Sequence, residues 1–321
     1  MFLDVKGLKI NYRTVYGNLE AVKSLDLSVE KGETVAVVGE SGCGKSTLGH
    51  SLVRLLPPNA KYEGKVILDG KDVFALKGKA LRMYRGGEVF MIFQDPLNSL
   101  NPVKRVDDQM LEAVGMREQI AGREFDREDA LKDIIDGLNG VRMPDPEVIL
   151  RRYPHQLSGG QIQRIVIAMA LVMKPKLLIA DEPTSALDVT IQAQVIKLIK
   201  DLKKEYGMSV IFITHDMAVA YTIADRFLVM YAGQLSELGP VNDVVSKPLH
   251  PYSVALVNSI PNKSRKEGKL VAIPGSPPNM LAPPTGCRFH PRCPQVMDIC
   301  RTEDPLEKEV GGRLLRCHLF D

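Results

Sequence analysis

Residues 34–47 read TVAVVGESGCGKST and decide the fold of this chain. Residues 34–38 form a short apolar run rich in β-branched side chains, which is typical of a strand buried on both faces. A glycine-rich loop follows, and residues 45–56 have helical spacing until Pro57 and Pro58 end the pattern. The stretch therefore predicts a strand, a loop and a helix in succession.

The loop has the spacing of a phosphate-binding loop, in which Gly-x-x-x-x-Gly-Lys is followed by Ser or Thr. Its glycines let successive backbone N–H groups curl around a phosphate, and the next helix adds partial positive charge. Lys45 is predicted to reach the β- and γ-phosphates of a nucleotide, and Ser46 to bind Mg²⁺. The alternative is a glycine-rich turn that precedes Lys-Ser by chance. The predicted nucleotide contacts of the loop are Gly39, Glu40, Ser41, Gly42, Cys43, Gly44, Lys45, Ser46 and Thr47.

Strand and helix patterns alternate along most of the chain, which predicts an α/β fold with a largely parallel sheet. Residues 1–37 are strand material, and residues 105–155 have the helical periodicity of an insertion. Beyond about residue 247, nine prolines between Pro251 and Pro294 exclude long helices and central strands. We expect a domain over 1–246, with a helical subdomain at about 97–160, and a loop-rich extension over 247–321.

The composition excludes several classes of protein. The chain has 321 residues, of which 45% are hydrophobic and 25% charged, and its net charge is +3. These values indicate a folded globular protein, and the evenly mixed charges argue against a nucleic-acid surface. The longest apolar stretch, at about residues 165–173, is far shorter than the roughly 20 residues that span a bilayer. The N-terminus has no signal-peptide pattern, so we expect a cytoplasmic protein.

A second candidate site follows the apolar run Leu177-Leu178-Ile179-Ala180. Asp181 and Glu182 come directly after it, at the carboxyl end of a predicted strand, where ligands bind in open α/β sheets. Asp181 is predicted to hold Mg²⁺, and Glu182 to activate the attacking water as general base. The alternative is a strand that ends in ordinary solvated acids.

The motif Leu157-Ser158-Gly159-Gly160-Gln161 lies 20 residues before Asp181. Ser158 can cap the following helix, and the two glycines leave its first N–H groups open to a phosphate. The plain alternative is a capped helix start. In sequence and position the motif resembles the LSGGQ signature of ABC ATPases.

Further elements resemble those of the same family. Gln94, within Phe93-Gln94-Asp95-Pro96, resembles the Q-loop glutamine, which reaches the metal and the attacking water. His215, within Ile213-Thr214-His215-Asp216, resembles the switch histidine at the γ-phosphate. The D-loop, which contacts a partner subunit, is matched by Ser185, Ala186, Leu187 and Asp188.

A tyrosine near the N-terminus is predicted to stack on the adenine ring. Tyr12 is the first candidate and Tyr16 the second, because a loop between them leaves the register open. For either residue, the alternative is ordinary packing.

The resemblance covers residues 1 to about 245 and implies an active ABC-type P-loop ATPase with a mixed sheet core, an antiparallel β part and a helical insertion. It implies Glu182, His215 and Gln94 as catalytic residues, and Ser46, Gln94 and Asp181 as residues that hold Mg²⁺. It also implies a head-to-tail pair of subunits, in which each ATP lies between the phosphate loop of one chain and the LSGGQ of the other.

Four cysteines near the C-terminus, Cys287, Cys293, Cys300 and Cys317, are separated by 5, 6 and 16 residues. Cytoplasmic proteins keep their thiols reduced, which argues against two disulfides. Structural zinc sites usually carry Cys-x-x-Cys pairs, absent here, whereas a [4Fe–4S] cluster accepts wider spacings. We therefore favour a [4Fe–4S] cluster, with zinc and four unliganded thiols as the alternatives. Cys43 belongs to neither.

The extension resembles that of oligopeptide and dipeptide importer ATPases, because it opens with His250-Pro251-Tyr252 and continues to the cysteines. In some members of that family an iron–sulfur cluster is bound there. The resemblance implies a peripheral subunit at the cytoplasmic face of the inner membrane. Its implied partners are a second, related ATPase, two permeases and an extracytoplasmic binding protein, with no nucleic acid; a homodimer remains open for the isolated subunit.

The cargo stays open, because importers of this family also carry nickel or oligosaccharides. Two other classes compete with an importer. A soluble ABC ATPase acting on DNA or ribosomes would normally show two cassettes in one chain, a long coiled coil or a basic tail, and none of these is visible in the sequence. A redox-sensing regulatory protein with vestigial ATP turnover is disfavoured by the intact Glu182 and His215.

Overall fold

A computed structural model describes residues 1–185, 187–260 and 273–321 of the chain. They form two compact units, of which the first comprises Met1–Phe74 and Phe212–Asp321 and the second Ala75–Ile211. Within the described residues, no helix has both the length and the apolar character that crossing a bilayer requires.

The secondary structure alternates much as predicted. The strands are β1 (Leu3–Thr14), β2 (Gly17–Val29), β3 (Thr34–Val38), β4 (Ala60–Leu68), β5 (Lys71–Asp72), β6 (Val89–Ile92), β7 (Leu177–Asp181), β8 (Ser209–Thr214), β9 (Arg226–Tyr231), β10 (Gln234–Pro240), β11 (Lys308–Val310) and β12 (Arg313–Leu315). The helices are α1 (Lys45–Leu52), α2 (Gly78–Met83), α3 (Val106–Ala121), α4 (Arg127–Gly140), α5 (Pro146–Leu150), α6 (Gly159–Met173), α7 (Val189–Tyr206), α8 (Met217–Ile223), α9 (Val241–Ser246), α10 (Pro251–Asn258) and α11 (Ile299–Thr302).

The first unit contains both kinds of strand pairing. One antiparallel sheet has the order β2-β1-β4-β5, and a second run of strands has the order β11-β12-β10-β9-β3. Strand β3 pairs with β9 in parallel and is buried at every residue, as its β-branched sequence predicts. The remaining pairs of the second run are antiparallel. The mixed α/β architecture predicted from the sequence is therefore confirmed.

The second unit combines a parallel strand pair with packed helices. Strands β6 and β7 run parallel from the pair Val89 and Leu177 to the pair Ile92 and Ala180. Helices α3, α4 and α5 fill residues 106–150, which confirms the predicted helical insertion. Helix α4 packs closely on α6, because Gly137 leaves room for the side chain of Val172.

Two details differ from the sequence prediction. Helix α1 ends at Leu52 and not at residue 56, because Arg54 adopts a left-handed conformation (φ 54°) and Leu55 N–H turns back to the carbonyl of His50 at 2.9 Å. In the extension, β12 pairs with β10 and so adds strands to the first unit. Its residues are too few to give a periodic signal. The domain boundary at residue 246 stays a prediction.

A buried ion pair joins the extension to strand β10. The carboxylate of Glu237 is fully buried and accepts hydrogen bonds from Arg313 Nη1 at 2.9 Å and from the His250 N–H at 3.0 Å. The Leu249 N–H donates to it as well, at 3.1 Å. A buried charge is tolerated when its partners satisfy it in this way. The pair therefore fixes the start of α10.

The ring of His250 caps α10 in its neutral form. Its Nδ1 accepts a hydrogen bond from the Tyr252 N–H at 3.0 Å, which a doubly protonated ring could not do. Burial lowers the pKa of His250 to about 4, although a hydrogen bond to the backbone of Arg316 acts in the opposite direction. An exposed histidine in the unfolded chain titrates near 6.5.

This difference predicts a loss of stability in acid. Between pH 6.5 and 4 the unfolded chain takes up a proton at this position and the folded chain does not, so stability falls as pH falls, by up to about 1.4 kcal/mol per pH unit. The variant His250→Asn keeps a capping side chain. Its free energy of unfolding, measured by urea denaturation, should fall less between pH 7 and pH 5 than that of the wild type. Equal losses in both proteins would contradict this assignment.

Candidate nucleotide-binding site

The phosphate loop lies in the first unit, between β3 and α1, as predicted. Gly39 and Gly44 have positive φ values of 154° and 98°. A Cβ atom at Gly39 would overlap the carbonyl oxygen of Met230, and one at Gly44 would overlap that of Ala21. These two glycines are therefore required both by backbone conformation and by close packing against neighbouring strands.

Lys45 points back over its own loop. Its ammonium group donates to the carbonyl oxygens of Gly39 at 2.8 Å and Glu40 at 2.9 Å, and it lies 3.8 Å from the sulfur of Cys43. Burial raises the pKa of the Cys43 thiol, although the Lys45 charge opposes the shift. The loop thus holds a buried cation and a neutral thiol.

The two tyrosine candidates lie in different environments. The Tyr12 hydroxyl donates to Thr47 Oγ1 at 3.2 Å, so this ring lies beside helix α1. Tyr16 is 85% exposed in the turn between β1 and β2. The contact with Thr47 favours Tyr12, and the stacking on adenine stays a prediction.

His215 also belongs to the first unit, in the turn between β8 and α8. It is exposed, while the neighbouring Asp216 caps α8 by accepting hydrogen bonds from the N–H groups of Ala218 and Val219. Thr214 Oγ1 accepts from the Asp216 N–H at 3.0 Å and tightens the turn. His215 therefore lies in a turn that these hydrogen bonds hold in place.

The predicted acidic pair lies in the second unit, at the end of β7. Asp181 is the last residue of the strand and is 1% exposed. Glu182 follows with a left-handed backbone (φ 47°). This conformation is energetically costly for a residue other than glycine, and such strained residues cluster at functional sites. Its carbonyl accepts a hydrogen bond from Ser185 Oγ at 3.1 Å. The chain therefore turns sharply at the proposed general base.

The signature segment is a capped helix start, as predicted. Ser158 Oγ accepts from the Gln161 N–H at 3.3 Å, and Gln161 Oε1 accepts from the Ser158 N–H at 3.0 Å. This reciprocal capping box starts α6, and a Cβ at Gly159 would meet open space.

Gln163 is a residue of this unit that the sequence reasoning missed. It is buried in α6 and its Nε2 donates to the carbonyl of Pro183. The helix that begins at the signature is thereby bonded to the segment directly after Glu182. The only sequence signal was a polar side chain on an otherwise apolar helix face.

The remaining predicted residues lie on loops of the second unit. Gln94 is exposed after β6, where Asp95 accepts from the Leu97 N–H at 2.9 Å and from Asn98 Nδ2 at 2.7 Å. In the D-loop, Asp188 caps α7 by accepting from the Ile191 N–H at 3.0 Å. Ser185 and Leu187 precede it, and Ala186 lies outside the described residues.

The four cysteines of the extension are all free thiols in one region of the first unit. Burial, together with the neighbouring charges of Cys300, Cys317 and Cys293, raises the pKa of Cys287 to about 12. The Cys287 N–H also donates to the Cys300 carbonyl at 2.9 Å. Among the described residues, however, no three His, Cys, Asp or Glu side chains converge as metal ligands.

Comparisons with known proteins agree with this geometry. A family model described as "ABC transporter" matches residues 22–185, and one described as "Oligopeptide/dipeptide transporter, C-terminal region" matches residues 236–300. The oligopeptide transport ATP-binding protein OppD of Escherichia coli is 43% identical over 315 residues, which is 98% of this chain and 92% of that protein. The dipeptide transport ATP-binding protein DppD of Bacillus subtilis is 45% identical over 300 residues, 93% of this chain and 88% of its own length.

Two solved structures have the same fold. The dimeric structure of a bacterial ABC transporter cassette has a TM-score of 0.68 with 27% identity, and covers 74% of this chain and 98% of its own. A dimeric post-hydrolysis cassette bound to ADP and phosphate has a TM-score of 0.67, with the same identity and coverage.

The chain therefore belongs to the ABC transporter family, as an ATP-binding subunit that hydrolyses ATP with Mg²⁺. Within that family, its C-terminal region and its near-full-length identity place it with the ATP-binding proteins of oligopeptide and dipeptide transport. The family and the enzyme class predicted from the sequence are confirmed.

Proposed function

We propose that the chain drives the import of dipeptides or oligopeptides from the cytoplasmic face of the membrane. The observation that carries this proposal is the extension, which matches the C-terminal region of oligopeptide and dipeptide transporters and is built into the first unit through Glu237 and Arg313. Import of nickel or an oligosaccharide by the same motor is the second candidate. The ATPase does not touch the cargo, so the chain's own residues do not select between them.

The proposed ATPase roles follow the chemistry of each side chain. Lys45 and the loop N–H groups bind the β- and γ-phosphates, and the Tyr12 ring stacks on adenine. Glu182 takes a proton from the attacking water, which is typically worth about 10² to 10⁴ in rate. Gln94 orients that water, and His215 contacts the γ-phosphate. Ser46, Gln94 and Asp181 would hold Mg²⁺, which would neutralise phosphate charge.

We further propose that two ATPase subunits act together. The open N-terminus of α6, with Ser158, Gly159, Gly160 and Gln161, binds the ATP held by a second, related subunit. The D-loop, Ser185 to Asp188, contacts that subunit. Both solved structures, which are dimers of one related cassette, support this arrangement.

The loop after Gln94 is the proposed contact with the permeases. The proposed contact region includes Asp95 to Pro102, and the apolar side chain of Leu97 within it is 61% exposed and so accessible to a partner. Two permease subunits and an extracytoplasmic binding protein complete the proposed importer. Motion of this loop during ATP binding and hydrolysis would pass to the permeases.

We propose that Cys287, Cys293, Cys300 and Cys317 hold a [4Fe–4S] cluster, with zinc as the alternative. Four free cysteines lie in a single region of the extension, where three of them act electrostatically on Cys287, and they form a suitable donor set. A positively charged iron centre would relieve the repulsion between their thiolates. Among the described residues these side chains do not converge as metal ligands, so binding the cluster would require them to move.

The role of Glu182 predicts that Glu182→Gln keeps ATP binding and loses nearly all turnover, because an amide cannot accept the water's proton. Phosphate release by the assembled complex should fall by about 10² to 10⁴, while the ATP dissociation constant changes little. Glu147→Gln, the same change at an exposed residue of α5, serves as control. Near-normal turnover in Glu182→Gln would refute the assignment.

The import proposal predicts what accompanies the subunit in gently solubilised native membranes. Affinity purification should recover two permeases and a second ATPase, together with a binding protein that holds peptides. Mass spectrometry of the proteins and of the released ligand tests both statements. Nickel or a sugar in the binding protein would exclude peptide import, and ribosomes or DNA would exclude transport altogether.

The cluster proposal predicts about four iron and four acid-labile sulfide per chain after anaerobic purification. Cys293→Ser should lower the iron content severely, whereas Cys43→Ser should leave it unchanged because Cys43 lies in the phosphate loop. Stoichiometric zinc, or no metal, would show that the proposal is wrong.

A further inference from the structure

The side chain of Arg292, in the extension, is bonded to the phosphate loop. Its Nη1 donates to Glu40 Oε2 at 2.6 Å and its Nη2 to Glu40 Oε1 at 2.9 Å, which is the two-pronged geometry of a strong arginine–carboxylate pair. The guanidinium is also held by the carbonyl of Pro274, to which Nε donates at 2.9 Å, and by the Tyr231 hydroxyl at 3.3 Å. Arg292 is therefore rigidly placed.

Glu40, the second residue of the phosphate loop, is held on three sides. Its carboxylate binds Arg292, and its backbone N–H donates to the Tyr252 hydroxyl at 2.8 Å. Its carbonyl oxygen accepts from Lys45 Nζ at 2.9 Å. Two of these three partners belong to the extension, and the third is the lysine that binds phosphate. The extension thus acts on Lys45 through a single residue.

Aromatic packing keeps the extension in this position. The ring centroids of Tyr231 and Tyr252 lie 4.6 Å apart, and Phe289 lies 5.0 Å from the first and 5.3 Å from the second. All three side chains are buried, and the Arg292 guanidinium lies 5.7 Å from the Tyr231 ring. The contact with Glu40 is therefore part of a packed core and not of a mobile surface.

We propose that Arg292 is a positioning residue for the nucleotide phosphates, and that the extension is part of the ATP site. Arg292 neutralises the only carboxylate of the phosphate loop, on the same residue whose carbonyl oxygen accepts a hydrogen bond from Lys45. Without it, an uncompensated negative charge would lie inside the loop that wraps a polyanion. The proposal rests on ATP binding alone, so it stands or falls independently of peptide import and of the cluster.

Nucleotide titrations of the full chain test this proposal. In Arg292→Met the Mg-ATP dissociation constant should rise about tenfold, because the unpaired Glu40 carboxylate would repel the negatively charged phosphates. The rise should be smaller for Mg-ADP and close to zero for adenosine, because the repulsion grows with the number of phosphates. A general distortion of the site would weaken all three ligands together.

Second variants separate charge from shape. Glu40→Gln with Arg292→Met should recover most of the lost ATP affinity, since no charge is then left unpaired. Arg292→Lys should fall between Met and the wild type, because a lysine restores the charge without the bidentate geometry. Glu40→Gln alone should bind Mg-ATP more tightly than the wild type. Should Arg292→Met fail to fold, Tyr252→Phe removes only the acceptor of the Glu40 N–H, and about a threefold weakening is expected.

A matched control is available in the same unit. Arg226 Nη1 donates to Glu33 Oε1 at 3.2 Å, in a half-buried pair outside the phosphate loop. Arg226→Met should leave all three dissociation constants within about twofold of the wild type. The proposal is overturned if Arg292→Met binds ATP normally, if adenosine binding weakens as much as ATP binding, or if the double variant shows no recovery.

Discussion

The close approach of backbone to backbone around the phosphate loop is the constraint on which the first unit depends. The Gly233 N–H donates to the Cys43 carbonyl at 2.9 Å, and the Lys23 N–H donates to the Gly233 carbonyl at 2.8 Å. Gly39 and Gly44 pass so near neighbouring carbonyls that no side chain fits. Backbone hydrogen bonds and close packing therefore hold the loop in place. The N–H groups that these contacts do not use can bind phosphate.

The extension contacts the phosphate loop and the strands around it. Arg288 donates to the Ala232 carbonyl and pairs with Glu20, and Arg292 pairs with Glu40. Both arginines lie within the segment that Cys287 and Cys293 bound. Anything that orders these two cysteines would therefore also order the contacts to the strands and to the loop. In physical terms, the extension behaves as part of the nucleotide domain and less as an appendage.

Buried charges are also paired where the extension meets strand β10 and helix α10. Glu237 is fully buried and forms an ion pair with Arg313. Its carboxylate also accepts hydrogen bonds from backbone N–H groups at the start of α10. Removal of either partner would strand a buried charge, which typically costs about 3 to 5 kcal/mol. His250 stays neutral in the same region because burial lowers its pKa. The three-residue motif His250-Pro251-Tyr252 thus caps α10, starts it with a proline and delivers a hydroxyl to Glu40.

The amino-acid sequence by itself determined the class of fold, the phosphate loop, the insertion and the family, because each depends on local spacing. A β-branched run, fixed glycines and a capped helix are readable over a few residues, as in 34–47 and 157–161. Tertiary structure decided what distant segments do to one another. The pairing of β12 with β10, the bond from Gln163 to Pro183 and the contacts of Arg292 and Tyr252 with Glu40 join residues 20 to 252 positions apart. No local pattern encodes such pairs, because their stability comes from packing and burial that exist only once the chain has folded.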